Sequence, residues 1–191
     1  MSWLKFAGNF VRHPTTVGAV APSSRRLGER MVEGLDLATA LTVVELGPGT
    51  GPFSEVVLER IGTETRFFAF ELDPSFVKLL RARFPQLHVY GESAENLPQR
   101  LSDHGVQYAD HIICGLPWAS LPDDVQDRVF EAILAALPPG GTFRSFGYVH
   151  CRPFPKAVRF RKRLEEHFSS VEFSPIVIRN VPPAFVYRCV R

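Results

Sequence analysis

Two hydrophobic periodicities alternate along most of the chain. Short apolar runs of strand type are each followed by a turn and then by a segment with helical spacing. Strands are predicted at 41–46, 66–71, 86–90, 109–114, 142–150, 171–177 and 184–190, and helices at 25–34, 52–61, 74–84, 123–137 and 155–168. This alternation predicts an α/β fold with a mostly parallel sheet that is covered on both faces. The last two strands are expected to form an antiparallel pair.

Residues 1–13 carry a separate pattern. At about 100° per residue, Trp3 and the two phenylalanines of this segment fall within one arc, and its basic residues lie opposite. The pattern predicts an amphipathic helix. We therefore expect residues 1–34 to form a segment that faces substrate or membrane, and residues 35–191 to form a single globular domain.

Composition limits the class of protein. The chain has 191 residues, of which 45% are hydrophobic and 22% charged, as in a single folded domain with a core. No apolar run reaches the roughly 20 residues that cross a bilayer, and we expect no secretory signal peptide. The three cysteines are widely spaced and show no ligand spacing with the six histidines, so we expect neither disulfides nor a metal. These features favour a cytoplasmic protein.

A glycine-rich loop follows the first predicted strand. Glu45, Gly47, Pro48, Gly49 and Gly51 belong to this loop, which leads into a helix. Glycine permits a sharp turn and a close approach of ligand to backbone, and in open α/β sheets this turn lies in the crevice at the strand carboxyl ends. A nicotinamide site would favour G-x-G-x-x-G instead. Because Glu45 brings negative charge, the loop is expected to favour a cation over a diphosphate.

Two further turns follow the second and third predicted strands. Glu71 ends the second strand and precedes Leu72, and its carboxylate is placed to accept hydrogen bonds from both ribose hydroxyls of a nucleoside. Glu92, Ser93 and Ala94 follow the third strand, in a position suited to the edge of an adenine ring. A nucleoside that also carries positive charge is S-adenosylmethionine, through its sulfonium and its α-amino group.

As a set, these motifs resemble the class I S-adenosylmethionine-dependent methyltransferases over residues 40–150. The resemblance implies a Rossmann-like fold with a seven-stranded sheet and S-adenosylmethionine as the cofactor. It also implies the cofactor-binding residues, which are Glu45, Gly47, Pro48, Gly49, Gly51, Glu71, Leu72, Glu92, Ser93, Ala94 and Cys114.

Three motifs outside the cofactor loops narrow the family. The stretches VGAVAPSS at 17–24, GLPW at 115–118 and NVPPAFVY at 180–187 together resemble small bacterial phospholipid N-methyltransferases. That resemblance implies methylation of the amino head group of phosphatidylethanolamine. The GLPW turn also resembles ribosomal RNA adenine dimethylases, which carry Asn where this chain has Gly115. An RNA adenine N6-methyltransferase and a non-catalytic cofactor-binding module are therefore the alternatives.

The acceptor side of the site is predicted from the GLPW turn and two tyrosines. The candidate catalytic residues are Gly115, Leu116, Pro117, Trp118, Tyr148 and Tyr187. Trp118 offers a π face for a methylated ammonium, unless it packs in the core beneath the loop. The Gly115 carbonyl, Tyr148, His150 and Tyr187 are the candidate proton acceptors.

A lipid acceptor would bring the protein to a membrane surface. Residues 1–13 have the form of an interfacial helix, and residues 152–163 contain six basic residues and no acidic one. We expect both segments to contact an anionic leaflet, with the protein peripherally associated with the cytoplasmic membrane. The alternatives are that the N-terminal stripe docks on the protein's own core, and that the basic segment binds RNA phosphates or is a solvated helix face.

Overall fold

A computed structural model of the chain describes residues 23–191. Its strands are β1 Thr42–Leu46, β2 Arg66–Phe70, β3 His88–Tyr90, β4 His111–Cys114, β5 Thr142–Tyr148, β6 Ser170–Phe173 and β7 Ala184–Val190. Its helices are α1 Arg25–Val32, α2 Pro52–Leu58, α3 Pro74–Arg83, α4 Leu97–Asp103, α5 Asp123–Ala136 and α6 Pro155–His167, with 3₁₀ turns at Ala94–Asn96 and Val149–Cys151. The predicted helix at 1–13 lies outside the described residues.

All seven strands form one sheet in the order β3-β2-β1-β4-β5-β7-β6. Strands β1 to β5 pair in parallel, and β7 pairs antiparallel with both β5 and β6. This arrangement confirms the predicted Rossmann-like sheet and its antiparallel C-terminal pair.

Within residues 23–191, each face of the sheet carries three helices. Helices α1, α2 and α3 bury apolar side chains against one face, where Val43, Phe67 and Ala69 point towards them. Helices α4, α5 and α6 cover the other face, over Val44, Phe68 and neighbouring strand residues. Alternate residues of one strand therefore contribute to different cores, which is why most residues of β1 and β2 are apolar on both faces, with Glu45 as a buried exception.

Besides shifts of one to three residues at the ends of elements, two elements differ from the predicted ones. The predicted strand 171–177 ends at Phe173, because Pro175 has no N–H to continue the ladder, and Val177 makes only an isolated bridge to Ala184. Helix α4 at Leu97–Asp103 is not predicted from the sequence: it is only seven residues long, although the proline in its first turn is typical of a helix start.

Within residues 23–191, no helix is long and apolar enough to cross a membrane. The same part of the chain brings no three His, Cys, Asp or Glu side chains together in an arrangement that would hold a metal ion.

Candidate cofactor and acceptor site

The order of the strands creates a crevice between β1 and β4. Leu46, the last residue of β1, pairs with Phe70 of β2 on one side and with Cys114 of β4 on the other. The chain leaves β1 and β4 towards opposite faces of the sheet, and such a switch point is where open α/β sheets bind ligands. The glycine loop, Glu71 and Gly115 therefore meet at one edge of the sheet, at the carboxyl ends of the parallel strands.

The glycine loop needs its glycines for two different reasons. Gly47, Gly49 and Gly51 have φ angles of 70°, 59° and 86°, a region that disfavours residues with a Cβ. A Cβ on Gly47 would also lie 2.7 Å from Leu116 Cδ2, and one on Gly51 would lie 2.6 Å from Phe84 Cε2. A Cβ on Gly49 would meet nothing within 4 Å, so the backbone there is open to a ligand.

Gly115 lies directly against the glycine loop. A Cβ at this position would come within 2.6 Å of the Gly47 carbonyl oxygen, and the Gly115 N–H donates to the Leu46 carbonyl at 2.7 Å. No side chain fits there without moving backbone. The absence of the Asn that adenine dimethylases carry at this position is therefore a packing requirement of this chain.

Glu71 is held by backbone donors. Its Oε2 accepts from the Gly49 N–H at 2.9 Å and its Oε1 from the Asp73 N–H at 2.9 Å. Burial raises the pKa of this carboxyl, and the two backbone hydrogen bonds oppose that shift. Each oxygen retains acceptor capacity, so the carboxylate can still accept hydrogen bonds from ribose hydroxyls.

Glu45 is fully buried in β1. The Ser54 hydroxyl donates to its Oε2 at 2.5 Å, whereas its Oε1 has no hydrogen-bond partner among the described residues. Burial raises the pKa of Glu45 to about 8, although the Ser54 hydrogen bond opposes the shift; the nearby Glu71 charge adds to it. This corrects the expectation of a fixed negative charge, because at neutral pH the side chain is largely protonated until a cation binds. Only the fold reveals Ser54 as its partner.

The two carboxyl groups fit a cationic ligand. Among the described residues, no Lys or Arg forms an ion pair with Glu45 or Glu71. Neither carboxyl offers positive charge to a diphosphate, whereas a ligand that brings positive charge stabilises their ionised forms. S-adenosylmethionine carries that charge on its sulfonium and its α-amino group, so the residues present suit it.

The turn after β3 is held mainly by contacts within the protein. Glu92 accepts from Arg100 Nε and Asn96 Nδ2, each at 2.6 Å, and the hydrogen bond from Arg100 lowers its pKa. Ser93 Oγ accepts from the Glu95 N–H at 3.3 Å, and Ala94 is buried. Because the Glu92 carboxylate is already engaged, a contact from this turn to an adenine ring stays a prediction that rests on the backbone.

Two aromatic residues predicted for the acceptor side pack in the hydrophobic core. Trp118 is 4% exposed, with its ring stacked on Phe160 at a centroid distance of 4.2 Å. This corrects the expectation of a free π face, because the ring is packed in the core. Tyr187 lies in β7 opposite Ser145, which pairs with Cys114, so the residue is level with the end of β4. Its ring packs against Phe160 in the core, and its role as a proton acceptor stays a prediction.

The remaining predicted residues lie in the last positions of β4 and β5 or shortly after β2 and β4. Leu116 and Pro117 are half-buried beside the glycine loop, and Leu72 is half-buried after Glu71. Tyr148 is the last residue of β5, and burial raises its pKa. The Cys114 thiol is fully buried, with its pKa raised to about 12 by burial, so only its backbone can contribute to the site.

The basic segment 152–163 carries less free charge than its sequence indicates. Acidic residues of α5 and α6 pair with four of its cations; the pairs are Lys156–Asp123, Arg159–Asp123, Arg159–Asp127, Arg161–Glu165, Arg163–Asp127 and Arg163–Glu131. Among the described residues, Arg152 and Lys162 of this segment have no carboxylate partner. The expectation of six available cations is corrected to two.

A family model described as a methyltransferase domain matches residues 43–141. The chain belongs to the class I S-adenosylmethionine-dependent methyltransferases. The match covers the glycine loop, Glu71 and the turns after β3 and β4. S-adenosylmethionine is accordingly the cofactor of this methyltransferase.

A curated relative extends the similarity beyond the matched domain. This methyltransferase is 35% identical over 187 residues to an ornithine lipid N-methyltransferase of Singulisphaera acidiphila, covering 96% of this chain and 93% of the relative. The similarity therefore includes the N-terminal segment and the C-terminal strand pair.

Solved structures share the fold at low identity. The N-methyltransferase NodS from Bradyrhizobium japonicum superposes with a TM-score of 0.70 at 13% identity, covering 87% of this chain and 95% of that one. An O-methyltransferase from Bacillus cereus in complex with SAH superposes with a TM-score of 0.65 at 14% identity, covering 98% and 90%. At these identities the comparison concerns the fold alone.

Replacing Glu71 tests its role towards the cofactor. We expect Glu71→Gln to weaken S-adenosylmethionine binding about tenfold to hundredfold in calorimetry, because a charged acceptor of hydrogen bonds is lost. Glu64→Gln, at an exposed turn, is the control and should bind as the wild type does. Unchanged affinity of the Glu71 variant, with its melting temperature intact, would contradict this role.

Glu45 predicts a pH dependence of cofactor binding. The pKa of Glu45 is raised to about 8, so its carboxyl is mostly protonated at neutral pH. A cationic ligand favours the ionised carboxylate, and its binding must therefore release that proton. The affinity for S-adenosylmethionine should therefore rise from about pH 6 to pH 8 and then level off. Glu45→Gln should flatten this part of the profile, while the α-amino group of the ligand titrates equally in both proteins.

Glu55→Gln is the matched control for Glu45, because Glu55 lies on α2 beside Ser54 but pairs with Arg83 at 2.7 Å. It should keep the wild-type pH profile. A Glu45→Gln profile as steep as that of the wild type would contradict the assignment.

The contact between Gly115 and Gly47 predicts a stability difference between two glycines. Gly115→Ala should cost about 1–3 kcal/mol in the free energy of unfolding, because its Cβ would press on the Gly47 carbonyl. Gly91 follows β3 at the same edge, and a Cβ there would meet only Val77, at 3.6 Å. Gly91→Ala should therefore change the free energy of unfolding little. Equal urea midpoints for the two variants would show that the loops have room to separate.

Proposed function

We propose that this methyltransferase transfers methyl groups to the primary amine of a lipid head group at a membrane surface. The observation that carries the proposal is the similarity to an ornithine lipid N-methyltransferase over 96% of the chain. Ornithine lipid is therefore the first proposed acceptor. Phosphatidylethanolamine, the acceptor predicted from the sequence, is the second. Both lipids present a primary amine near an anionic group.

The amine must lose a proton before it can react. A primary ammonium has a pKa of about 10.4, so roughly one molecule in 10³ is neutral at pH 7. S-adenosylmethionine, when bound, supplies a methyl group on positively charged sulfur, which the lone pair of a neutral amine can attack in line. The task of the chain is therefore to hold the neutral amine and to orient its lone pair.

The turn after β4 is suited to that task. The Gly115 carbonyl can accept a hydrogen bond from one amine hydrogen, while Leu116 and Pro117 exclude water from the bound amine. Desolvation lowers the pKa of an amine and so raises its neutral fraction. Because Gly115 carries no side chain, the acceptor group is the backbone carbonyl itself, which suits an amine that rotates freely.

Tyr148 is proposed as a further hydrogen-bonding partner of the amine. Burial raises the pKa of its hydroxyl, so this group is neutral at physiological pH and does not act as a strong base. Its oxygen can still accept a hydrogen bond. Proton loss from the ammonium is therefore proposed to end in solvent rather than on a buried side chain.

An acceptor assay tests the proposal. With labelled S-adenosylmethionine, we expect label in vesicles that contain ornithine lipid, less in phosphatidylethanolamine and none in RNA. Mass spectrometry of the lipid then counts the methyl groups, up to three on one amine. A Glu71→Ala variant, which should not hold the cofactor, is the inactive control.

Two outcomes would contradict the proposed function. Label in RNA, with binding that weakens steeply as salt increases, would favour the adenine methyltransferase alternative. Cofactor binding in calorimetry without product on any acceptor would favour a non-catalytic module.

A further inference from the structure

The connection between β6 and β7 exposes apolar side chains. In residues 174–183, Ile176 is 48% exposed, Ile178 is 76% exposed and Val181 is 65% exposed. Val177 and Asn180, which alternate with them, are buried at 8% and 3% exposure. The connection thus has an inner side that packs on the domain and an outer side that is mostly apolar.

The buried residues hold this connection in place. The Val177 N–H donates to the Ala184 carbonyl at 2.7 Å, and Asn180 Nδ2 donates to the Pro182 carbonyl at 2.8 Å. Asn180 Oδ1 also accepts from the Ser24 N–H at 3.0 Å, which ties the connection to the residue that caps α1. These hydrogen bonds hold the connection with Val177 and Asn180 inward and its isoleucines outward.

The position of the connection relates it to the crevice. It runs from the end of β6 to the start of β7, where Ala184 lies opposite Tyr148, the last residue of β5. It therefore lies at the edge of the sheet where the parallel strands end, as the glycine loop does. A flat surface that touches this connection also meets the edge into which the crevice opens.

In the described part of the chain, one cation without a carboxylate partner lies on the connection, and two lie near Phe173, where the connection begins. Arg179 is exposed between Ile178 and Asn180, and no ion pair involves it among the described residues. Arg152 lies with its guanidinium 5.2 Å from the ring centroid of Phe173, directly before the connection. Arg152 and Lys162 also line a cleft of about 200 Å³. Exposed apolar side chains together with these cations complement an anionic bilayer, which has apolar acyl chains beneath negatively charged head groups.

We propose that residues 174–183 form a membrane-inserting element, with Ile176, Ile178 and Val181 entering the acyl boundary and Arg179 contacting lipid phosphates. The proposal rests on the proposed function, because a lipid acceptor remains in the bilayer and the crevice must be brought to it. It differs from the sequence expectation, which placed membrane contact in residues 1–13 and 152–163.

A pair of substitutions tests the element in the full chain. The double variant Ile178→Ser with Val181→Ser should bind phosphatidylglycerol-containing vesicles at least about tenfold more weakly in co-sedimentation, since two apolar side chains no longer leave water. Leu41→Ser is the matched control, because Leu41 is 70% exposed but precedes β1 at the opposite edge. Equal binding of the double variant and the control would overturn the proposal.

Charge and depth provide two further readouts. Arg179→Gln should weaken binding about fivefold to vesicles with phosphatidylglycerol and hardly at all to phosphatidylcholine alone. Fluorescence of an Ile178→Trp variant should be quenched by brominated lipids beyond the wild-type level, whereas that of Leu41→Trp should not. Equal quenching of the two tryptophan variants would overturn insertion at this edge.

Melting temperatures measured without vesicles test whether another part of the chain covers the same apolar surface. If a further part of the chain covers Ile178 and Val181, the double variant should melt at a lower temperature with vesicle binding unchanged, and the proposal fails. Vesicle binding is measured without cofactor or turnover. A protein that binds through this element but methylates no lipid would therefore refute the proposed function and leave the element standing.

Discussion

The close approach of two backbone loops is the constraint on which the site depends. The Gly47 carbonyl occupies the space that a side chain of Gly115 would need. Because this contact joins the ends of β1 and β4, it sets the glycine loop beside the turn that we propose as the acceptor site. Methyl transfer requires the methyl donor and the acceptor in contact and in line, and a backbone contact that fixes the two loops would serve that alignment.

Electrostatics makes the same crevice selective for positive charge. Glu45 and Glu71 are buried with hydroxyl and backbone donors rather than with Lys or Arg, and burial raises the pKa of both. A buried carboxyl without a cation destabilises the ligand-free protein, and a ligand that carries the missing charge relieves that cost. We therefore expect the site to favour a sulfonium nucleoside over a dinucleotide by charge.

Local sequence predicts the cofactor half of the site far better than the acceptor half. The glycine loop and Glu71 follow apolar strands whose period and ends are visible in the sequence, so their meeting at one edge could be expected. The burial of Trp118 depends on Phe160, which is distant in sequence, and the pairing of the α6 cations depends on acids of α5. Neither of these contacts can be predicted from the local sequence around Trp118 or α6. The outward side of the β6–β7 connection likewise becomes visible only when Val177 and Asn180 are known to point inward.

A crystal structure of the protein with S-adenosylhomocysteine tests the central assignment most directly. The account predicts both ribose hydroxyls within hydrogen-bond distance of the Glu71 carboxylate, and the amino acid part of the ligand against the opening at Gly49. A ligand bound in the cleft beside α6, or a crevice closed by side chains with the ligand elsewhere, would contradict it.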